Sequence, residues 1–343
     1  MKRLFLVVSL MVYSCGDEGS DRPWPSDLPE NPEDAYHFDG ESEPYYEAWY
    51  HKVSLPDQNE SFFFIYGLIN PKPDTAFPRE VFLYCARGTT LEVAHRSFPL
   101  EDFRAARNHR DVQLGAGART TALRYAGEVN EGDHQCSWDI DLDESRPWTE
   151  TMGWMTGAEG METSWTVGNF TAAASGFVEF DGETFRFDNA PAYCDHNWGS
   201  KFPREWYWIQ ANLFESGVAL AASGGTVMAS QQETEAHMVG LLRDSEMVTF
   251  RTMDLDVVEA QFDMGTWSLA SGRTLSRITI EAHCDPATLI YMPVPTEEGM
   301  KPYAYESLFG TMEVTLEERA SENDPWETTF QGASDYAGVE LGK

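Results

Sequence analysis

Residues 191 to 210 read Pro-Ala-Tyr-Cys-Asp-His-Asn-Trp-Gly-Ser-Lys-Phe-Pro-Arg-Glu-Trp-Tyr-Trp-Ile-Gln, an unusually dense interleaving of ionisable and aromatic side chains. Asp195 and His196 are flanked by Tyr193 and Trp198. A carboxyl, an imidazole and a phenol so close in sequence are groups that hold or move protons. Burial would raise the carboxyl pKa by disfavouring its charged form. Indole faces carry a negative quadrupole and can stabilise a cation. Trp206, Trp208 and Gln210 fall on one face of the strand that follows, with Tyr207 and Ile209 on the other. Each residue also has a plainer reading. Asp195 could cap a turn, His196 could be a satisfied structural histidine, and the tryptophans could be barrel core.

The elements that must position these groups are strands. Period-2 alternation dominates from residue 45 onward. Phe177 to Phe180, Asp181-Gly182 and Glu183 to Phe187 spell a hairpin with a two-residue turn. Ser61 to Ile69, Glu80 to Tyr84, Met247 to Met253, Thr266 to Leu269, Ser276 to Ala282 and Gly310 to Glu318 also read as strands. Leu100 to Asn108 is the one short helix the pattern suggests. Many short strands with turn signals predict an all-β chain of barrels or sandwiches, and 343 residues suit two barrels end to end.

Ahead of the body lies an address. Lys2 and Arg3, the apolar run Leu4 to Val12, and Ser14-Cys15 have the layout of a secretory signal. Val12, Ser14 and Cys15 resemble a lipobox, with Cys15 as the residue to be acylated. This predicts an exported bacterial lipoprotein held at a membrane by a lipid anchor, on the periplasmic face or the cell surface. Up to residue 44 the chain is acidic and rich in proline, and it reads as a tether. Beyond Cys15 the cysteines are Cys85, Cys136, Cys194 and Cys284. Export permits disulfides, and Cys85–Cys136 is the favoured pair, since Cys194 lies within the dense segment.

Composition and motifs exclude several functions. With 57 acidic and 24 basic side chains the net charge is −33, which opposes nucleic-acid binding. There is no phosphate-cradling Gly-x-x-x-x-Gly-Lys-Ser/Thr loop, no Gly-x-Ser-x-Gly elbow and no His-Glu-x-x-His zinc motif. Asp139, Asp141, Asp143 and Glu150 mimic calcium-loop spacing, but Glu144 stands where the loop needs Gly and Pro147 interrupts it. Trp138, Ile140 and Leu142 alternate with those aspartates, so a strand with one wet face is the better reading, and no metal is expected.

The ordered elements resemble the tocopherol cyclase family. Glu47-Ala48-Trp49-Tyr50-His51-Lys52-Val53 stands where the family has Trp-Tyr-Phe-Lys-Val, and Ser61 to Tyr66 resembles its next strand. Cys136-Ser137-Trp138-Asp139 resembles its Trp-Asp strand, and Ser164-Trp165 stands where it has His-Trp. Gly176 to Pro191 is similar to its hairpin and Asn-Ala-Pro approach, and Asn197-Trp198-Gly199 and Phe202-Pro203 match its elements. Pro295-Thr296, Tyr305, Phe309-Gly310, Glu317-Glu318-Arg319 and Tyr336 to Gly342 resemble its C-terminal elements. The resemblance covers about residues 45 to 343. Asp195-His196 departs from the Glu-Lys usual in cyclases. The form Tyr-x-Asp-His-Asn-Trp-Gly is similar to related carotenoid hydratases, in which this Tyr and Asp are implicated in catalysis.

The resemblance implies two tandem lipocalin-like β-barrels: signal 1–14, tether 15–44, an N-terminal barrel 45–190 and a C-terminal barrel 191–343. It implies a cofactor-free reaction in which a protonated carboxyl protonates an isoprenoid double bond, and the cation is captured by a phenol oxygen or by water. Asp195 is then the expected acid, with Tyr193 and His196 bonded to it or accepting the phenolic proton. Trp198, Trp206, Trp208, Trp49, Tyr50 and Trp165 are the expected lining for an apolar isoprenoid or prenylquinol. Lys52 is expected to snorkel and Glu47 to be an exposed strand residue. A carrier that binds prenylquinones or other lipids without converting them, or an envelope lipoprotein that binds other proteins, would share these features.

Overall fold

The computed structural model describes residues 22–156, 158, 161–214, 217–229, 232–243 and 245–343. Cys15 and the signal lie outside the described residues. The chain is all-β and builds two antiparallel sheets in succession. The first contains β1 (Tyr46–Leu55), β2 (Glu60–Ile69), β3 (Glu80–Arg87), β4 (Glu92–Phe98), β5 (Phe103–Ala105) and β6 (Asp111–Leu114). It continues with β7 (Arg119–Thr121), β8 (Arg124–Val129), β9 (Cys136–Trp148), β10 (Thr163–Phe180) and β11 (Glu183–Gly199). The second contains β12 (Glu205–Ala211), β13 (Ala219–Ala229), β14 (Gln232–Arg243), β15 (Glu246–Arg251) and β16 (Val257–Asp263). It ends with β17 (Thr266–Gly272), β18 (Ser276–His283), β19 (Ile290–Thr296), β20 (Gly299–Glu318) and β21 (Glu327–Gly342).

The strand order is β4-β3-β2-β1-β11-β10-β9-β8-β7-β6-β5 in the first sheet and β15-β14-β13-β12-β21-β20-β18-β17-β16 in the second, with β19 beside β20. The first sheet curls into a nearly closed barrel of the lipocalin type. The change of sheet falls between Gly199 and Glu205, whereas the 190/191 division lies within β11. The segment holding Tyr193, Asp195 and His196 is thus a strand of the first barrel, and Trp206 and Trp208 open the second.

Alternation sorts every strand into an inside and an outside. Trp49, Val53, Phe62, Phe64, Tyr66, Trp138 and Ile140 fill the first barrel, and Tyr207, Ile209, Trp267, Ile280, Val314 and Val339 fill the second. The outward residues of β1, β2, β3, β10 and β11 meet those of β12, β13, β14, β19 and β20. Two apolar clusters span this seam. One joins Tyr46, Phe63 and Phe82 to Trp206, Met292 and Leu308, and the other joins Trp148, Trp165 and Tyr193 to Trp208, Ala221 and Met238.

Local expectations meet the structure in particular ways. The Asp181-Gly182 hairpin forms, with φ of 49° and 81° at the two turn residues, the positive values a two-residue turn between twisted strands needs. The Asp139–Asp143 stretch lies within β9, where Arg124 clamps Asp139 through two bonds of 2.7 and 2.6 Å. Cys85 and Cys136 are bridged, and Cys194 and Cys284 are free. Leu100 to Asn108 is not an α-helix. A 3-10 turn at Leu100–Asp102 leads into β5, whose pairing with β6 overrides the local i, i+3 spacing of Leu100 and Phe103. The acidic segment is also more than a tether. Ala35 and Phe38 are buried, Trp24 lies under the guanidinium groups of Arg119 and Arg124, and Asp34 pairs with buried Arg110 at 3.1 Å. Its few aromatic and apolar residues pack against the first barrel.

Candidate functional site

Asp195 and Tyr50 sit directly opposite each other on β11 and β1, and both project into the seam. They line a cavity between the barrels whose empty volume is about 1140 Å³, its open mouth included. Its walls are largely aromatic and apolar, among them Trp165 from β10, Trp206 and Trp208 from β12, Phe82 from β3 and Met292 from β19. The indoles lie flat because β21 offers them glycines. A Cβ on Gly342 would stand 2.0 Å from the Trp206 ring, and one on Gly338 would stand 2.6 Å from the Trp208 ring. The Trp208 ring in turn meets Tyr50 edge-on, with centroids 5.2 Å apart.

The polar groups of the cavity are few and mostly carboxyls. Asp195 is 3% exposed, and its Oδ2 accepts bonds from the Trp165 indole N–H and the Tyr193 hydroxyl, each 3.0 Å. Burial pushes its pKa up to about 7, although both donors favour the charged form. On the facing wall, Glu306 of β20 and Glu340 of β21 are directly paired across their strands. Tyr50 donates its hydroxyl hydrogen to Glu306, tying the two barrels together, and Trp206 donates to Glu340 at 2.5 Å. Burial raises the Glu340 carboxyl to about 7, and burial with the neighbouring Glu340 charge raises Glu306 well above the ordinary range. The cavity is therefore an apolar, aromatic chamber whose carboxyls are shifted upward into or above the neutral range.

Lys52 does not snorkel. It is buried at the edge of this chamber, and its Nζ donates to Ser54 Oγ and to the Tyr336 carbonyl, each at 2.8 Å. Loss of solvation lowers its pKa to about 7.

Of the residues expected at the site, Asp195, Tyr193, Tyr50, Trp165, Trp206 and Trp208 come together. His196, Trp198 and Trp49 do not. Adjacent residues of a strand point to opposite faces, so His196 turns its back on Asp195 and enters the end of the first barrel. There its Nε2 lies 3.0 Å from Glu47 Oε1, and its ring stacks on Trp49 at 4.4 Å. Trp198 stacks on His37 at 3.8 Å. Desolvation holds His196 neutral, with its pKa lowered to about 3. Glu47 is not exposed: it is fully buried, accepts from the Tyr45 hydroxyl and the His37 amide, and is raised to about 7 by that burial. This second polar cluster ties residues 31–45 to the barrel.

Glu306 and Glu340 are not set apart by their local sequence. Each is a lone Glu in an alternating strand, which is also the pattern of a solvated sheet face. The available signal is Gly338-Val339-Glu340-Leu341-Gly342, where the outward positions beside Glu340 are glycines rather than polar residues.

Comparison with known proteins agrees with this architecture. The profile of the tocopherol cyclase-like family matches residues 84–343. A chloroplastic tocopherol cyclase of Zea mays is 26% identical over an alignment covering 91% of this chain and 77% of the maize protein. A chloroplastic protein of Oryza sativa subsp. japonica, named as a probable tocopherol cyclase, is 24% identical over 91% of this chain and 78% of its own length. Among solved structures, CghA superposes with a TM-score of 0.54 at 12% identity, covering 88% of each chain. An AttH-type protein from Nitrosomonas europaea superposes with a TM-score of 0.51 at 16% identity, covering 93% of this chain and 98% of its own. At these identities the two structures speak for the fold alone.

Proposed function

Because the chain belongs to the tocopherol cyclase-like family, we propose that it closes a chromanol ring on a prenylated hydroquinone by protonating an isoprenoid double bond. The observation that carries this reading is Asp195: a buried carboxyl, raised to about 7, in a largely apolar chamber walled by indoles. The neutral acid donates its proton to the less substituted alkene carbon, leaving a tertiary cation and the Asp195 carboxylate. Trp165, Trp206, Trp208 and Tyr50 present ring surfaces along the cavity, where a cation is stabilised by their quadrupoles and by the exclusion of water. The phenol oxygen attacks the cation and releases its proton to a carboxylate. One proton enters, one leaves, and the reaction is an isomerisation that consumes no cofactor.

The lipobox-like Cys15 supports a membrane-anchored body, which would set the cavity close to the bilayer where prenylquinols reside. The test is incubation of the full chain with a geranylgeranylated hydroquinone in D2O without oxygen, beside Asp195→Asn. A ring-closed product with one carbon-bound deuterium, absent from the variant, supports the proposal. Addition of water to the alkene would instead make the protein a hydratase. Tight uptake with no conversion would make it a carrier.

A further inference from the structure

Asp195 supplies one proton-active group, yet the chamber holds two more carboxyls that an acid alone does not need. Glu306 and Glu340 occupy directly opposed positions on β20 and β21, where side chains of one face stand ~4.5–5.5 Å apart at Cβ and like charges repel. Both line the cavity, and both are engaged by donors from its walls, Tyr50 on Glu306 and Trp206 on Glu340. The other ionisable groups that act on them are Asp195 and Tyr50 from the facing barrel and Lys52 beside Glu306. Lys52 gives its hydrogen bonds to Ser54 and the Tyr336 carbonyl and makes none to either glutamate. Two carboxyls so placed, with no cation bonded to them, resist ionising together.

We propose that Glu306 and Glu340 form a proton-sharing dyad that takes up the phenolic proton when the ring closes, opposite the acid that starts the reaction. The proposal rests on the cyclase reading for the substrate, and on geometry for the dyad. The steps balance. Asp195 loses its proton to the alkene carbon, the C–O bond forms from the phenol oxygen lone pair, and the O–H electron pair remains on that oxygen as its proton passes to the singly ionised dyad. After product leaves, the now neutral dyad and the Asp195 carboxylate exchange a proton, either directly or through solvent, and the site returns to its starting charge. Separating donor from acceptor also explains why Tyr50 bridges the walls: it stands opposite Asp195 on its own sheet and donates to Glu306 on the other.

Two readouts test this on the full chain. The first is infrared titration without ligand, following the protonated-carboxyl stretch in wild type, Glu306→Gln, Glu340→Gln and Asp195→Asn. Each Gln variant is expected to lose part of the band present at neutral pH, and its remaining glutamate is expected to ionise at lower pH than the dyad did. If both Gln variants keep the whole wild-type band, the dyad holds no proton and the proposal fails. The second is turnover in D2O. Glu306→Gln and Glu340→Gln should lower chromanol formation roughly 10²-fold or more, the usual contribution of a general base. They should still return deuterium to the alkene of recovered substrate, because Asp195 protonates it reversibly. Asp195→Asn should show neither. Wild-type rates of ring closure in both Gln variants would overturn the acceptor role. If wild type itself forms no chromanol, the cyclase reading falls and takes the acceptor role with it, while the infrared result still decides whether the dyad exists.

Discussion

Replacing Asp195 by Asn should change stability in a pH-dependent way that no purely steric effect reproduces. The carboxyl is fully buried and raised from 3.8 to about 7. Its folded pKa therefore exceeds its unfolded one. Below the unfolded value both states carry the proton and the carboxyl costs nothing. As pH rises from there through the folded value, the native state holds a proton that the unfolded chain releases, and stability falls. A shift of about three units at 1.36 kcal/mol each sets the loss at about 4 kcal/mol, complete above about pH 8. Asn has no charge to bury and can still accept from Trp165 or Tyr193. Wild type and variant should thus differ little near pH 4, and the variant should gain on wild type by up to about 4 kcal/mol by pH 8. Urea unfolding followed by tryptophan fluorescence at several pH values measures both; the slope contributed by Glu47 largely cancels in the difference, whereas Glu306 and Glu340, which the Asp195 charge raises, add to it in the same direction. A difference that stays flat with pH would mean an ordinary, ionised carboxylate at this position. That result would remove the protonated acid on which the mechanism depends.

Three further outcomes are expected. Ring closure should follow a bell-shaped kcat/KM profile, falling at high pH as Asp195 ionises and at low pH as the glutamate dyad takes up its second proton, and Trp165→Phe, which removes a donor that favours the charged form of Asp195, should move the alkaline limb to higher pH. Gly342→Ala places a methyl 2.0 Å from the Trp206 ring, so it should cost about 1–3 kcal/mol in a denaturation curve and weaken prenylquinol uptake measured by fluorescence quenching. Removing the Cys85–Cys136 bridge by a double Ser substitution frees a 51-residue loop and should lower stability by about 2–4 kcal/mol, read from the shift in urea midpoint.

The parts of this molecule that local pattern controls were legible from its residues. The alternation of Trp138, Ile140 and Leu142 marks β9, Asp181-Gly182 marks a tight turn, and Tyr193 with Asp195 is conspicuous among aromatics. What local pattern cannot carry is which outward faces meet. Glu306 lies 111 positions beyond Asp195 and reaches the same chamber only because the barrels pack back to back, so nothing near it in sequence sets it apart. His196 is a different case. Its separation from Asp195 was available from strand geometry alone, since neighbours on a strand cannot share a face. Glu47 and Lys52 were misjudged as solvated because charge usually argues for the surface. Here each is enclosed and satisfied by hydrogen bonds that only the tertiary structure supplies.

Because the chamber is a seam, its two walls belong to separately cored bodies. The acid rides on one and the glutamate pair on the other, with the 200–204 link and the Tyr50–Glu306 bond among the ties between them. A few degrees of rotation about that joint would alter the gap between Asp195 and the two glutamates without disturbing either core. The same geometry makes substrate choice evolvable. Residues such as Met292, Phe82 and Met238 can change the length and width of the slot while contributing nothing to the packing inside a barrel. In a single lipocalin the ligand and the hydrophobic core compete for one interior. Doubling the barrel ends that competition, since each interior is filled by its own core and the crevice between them is left open to a ligand.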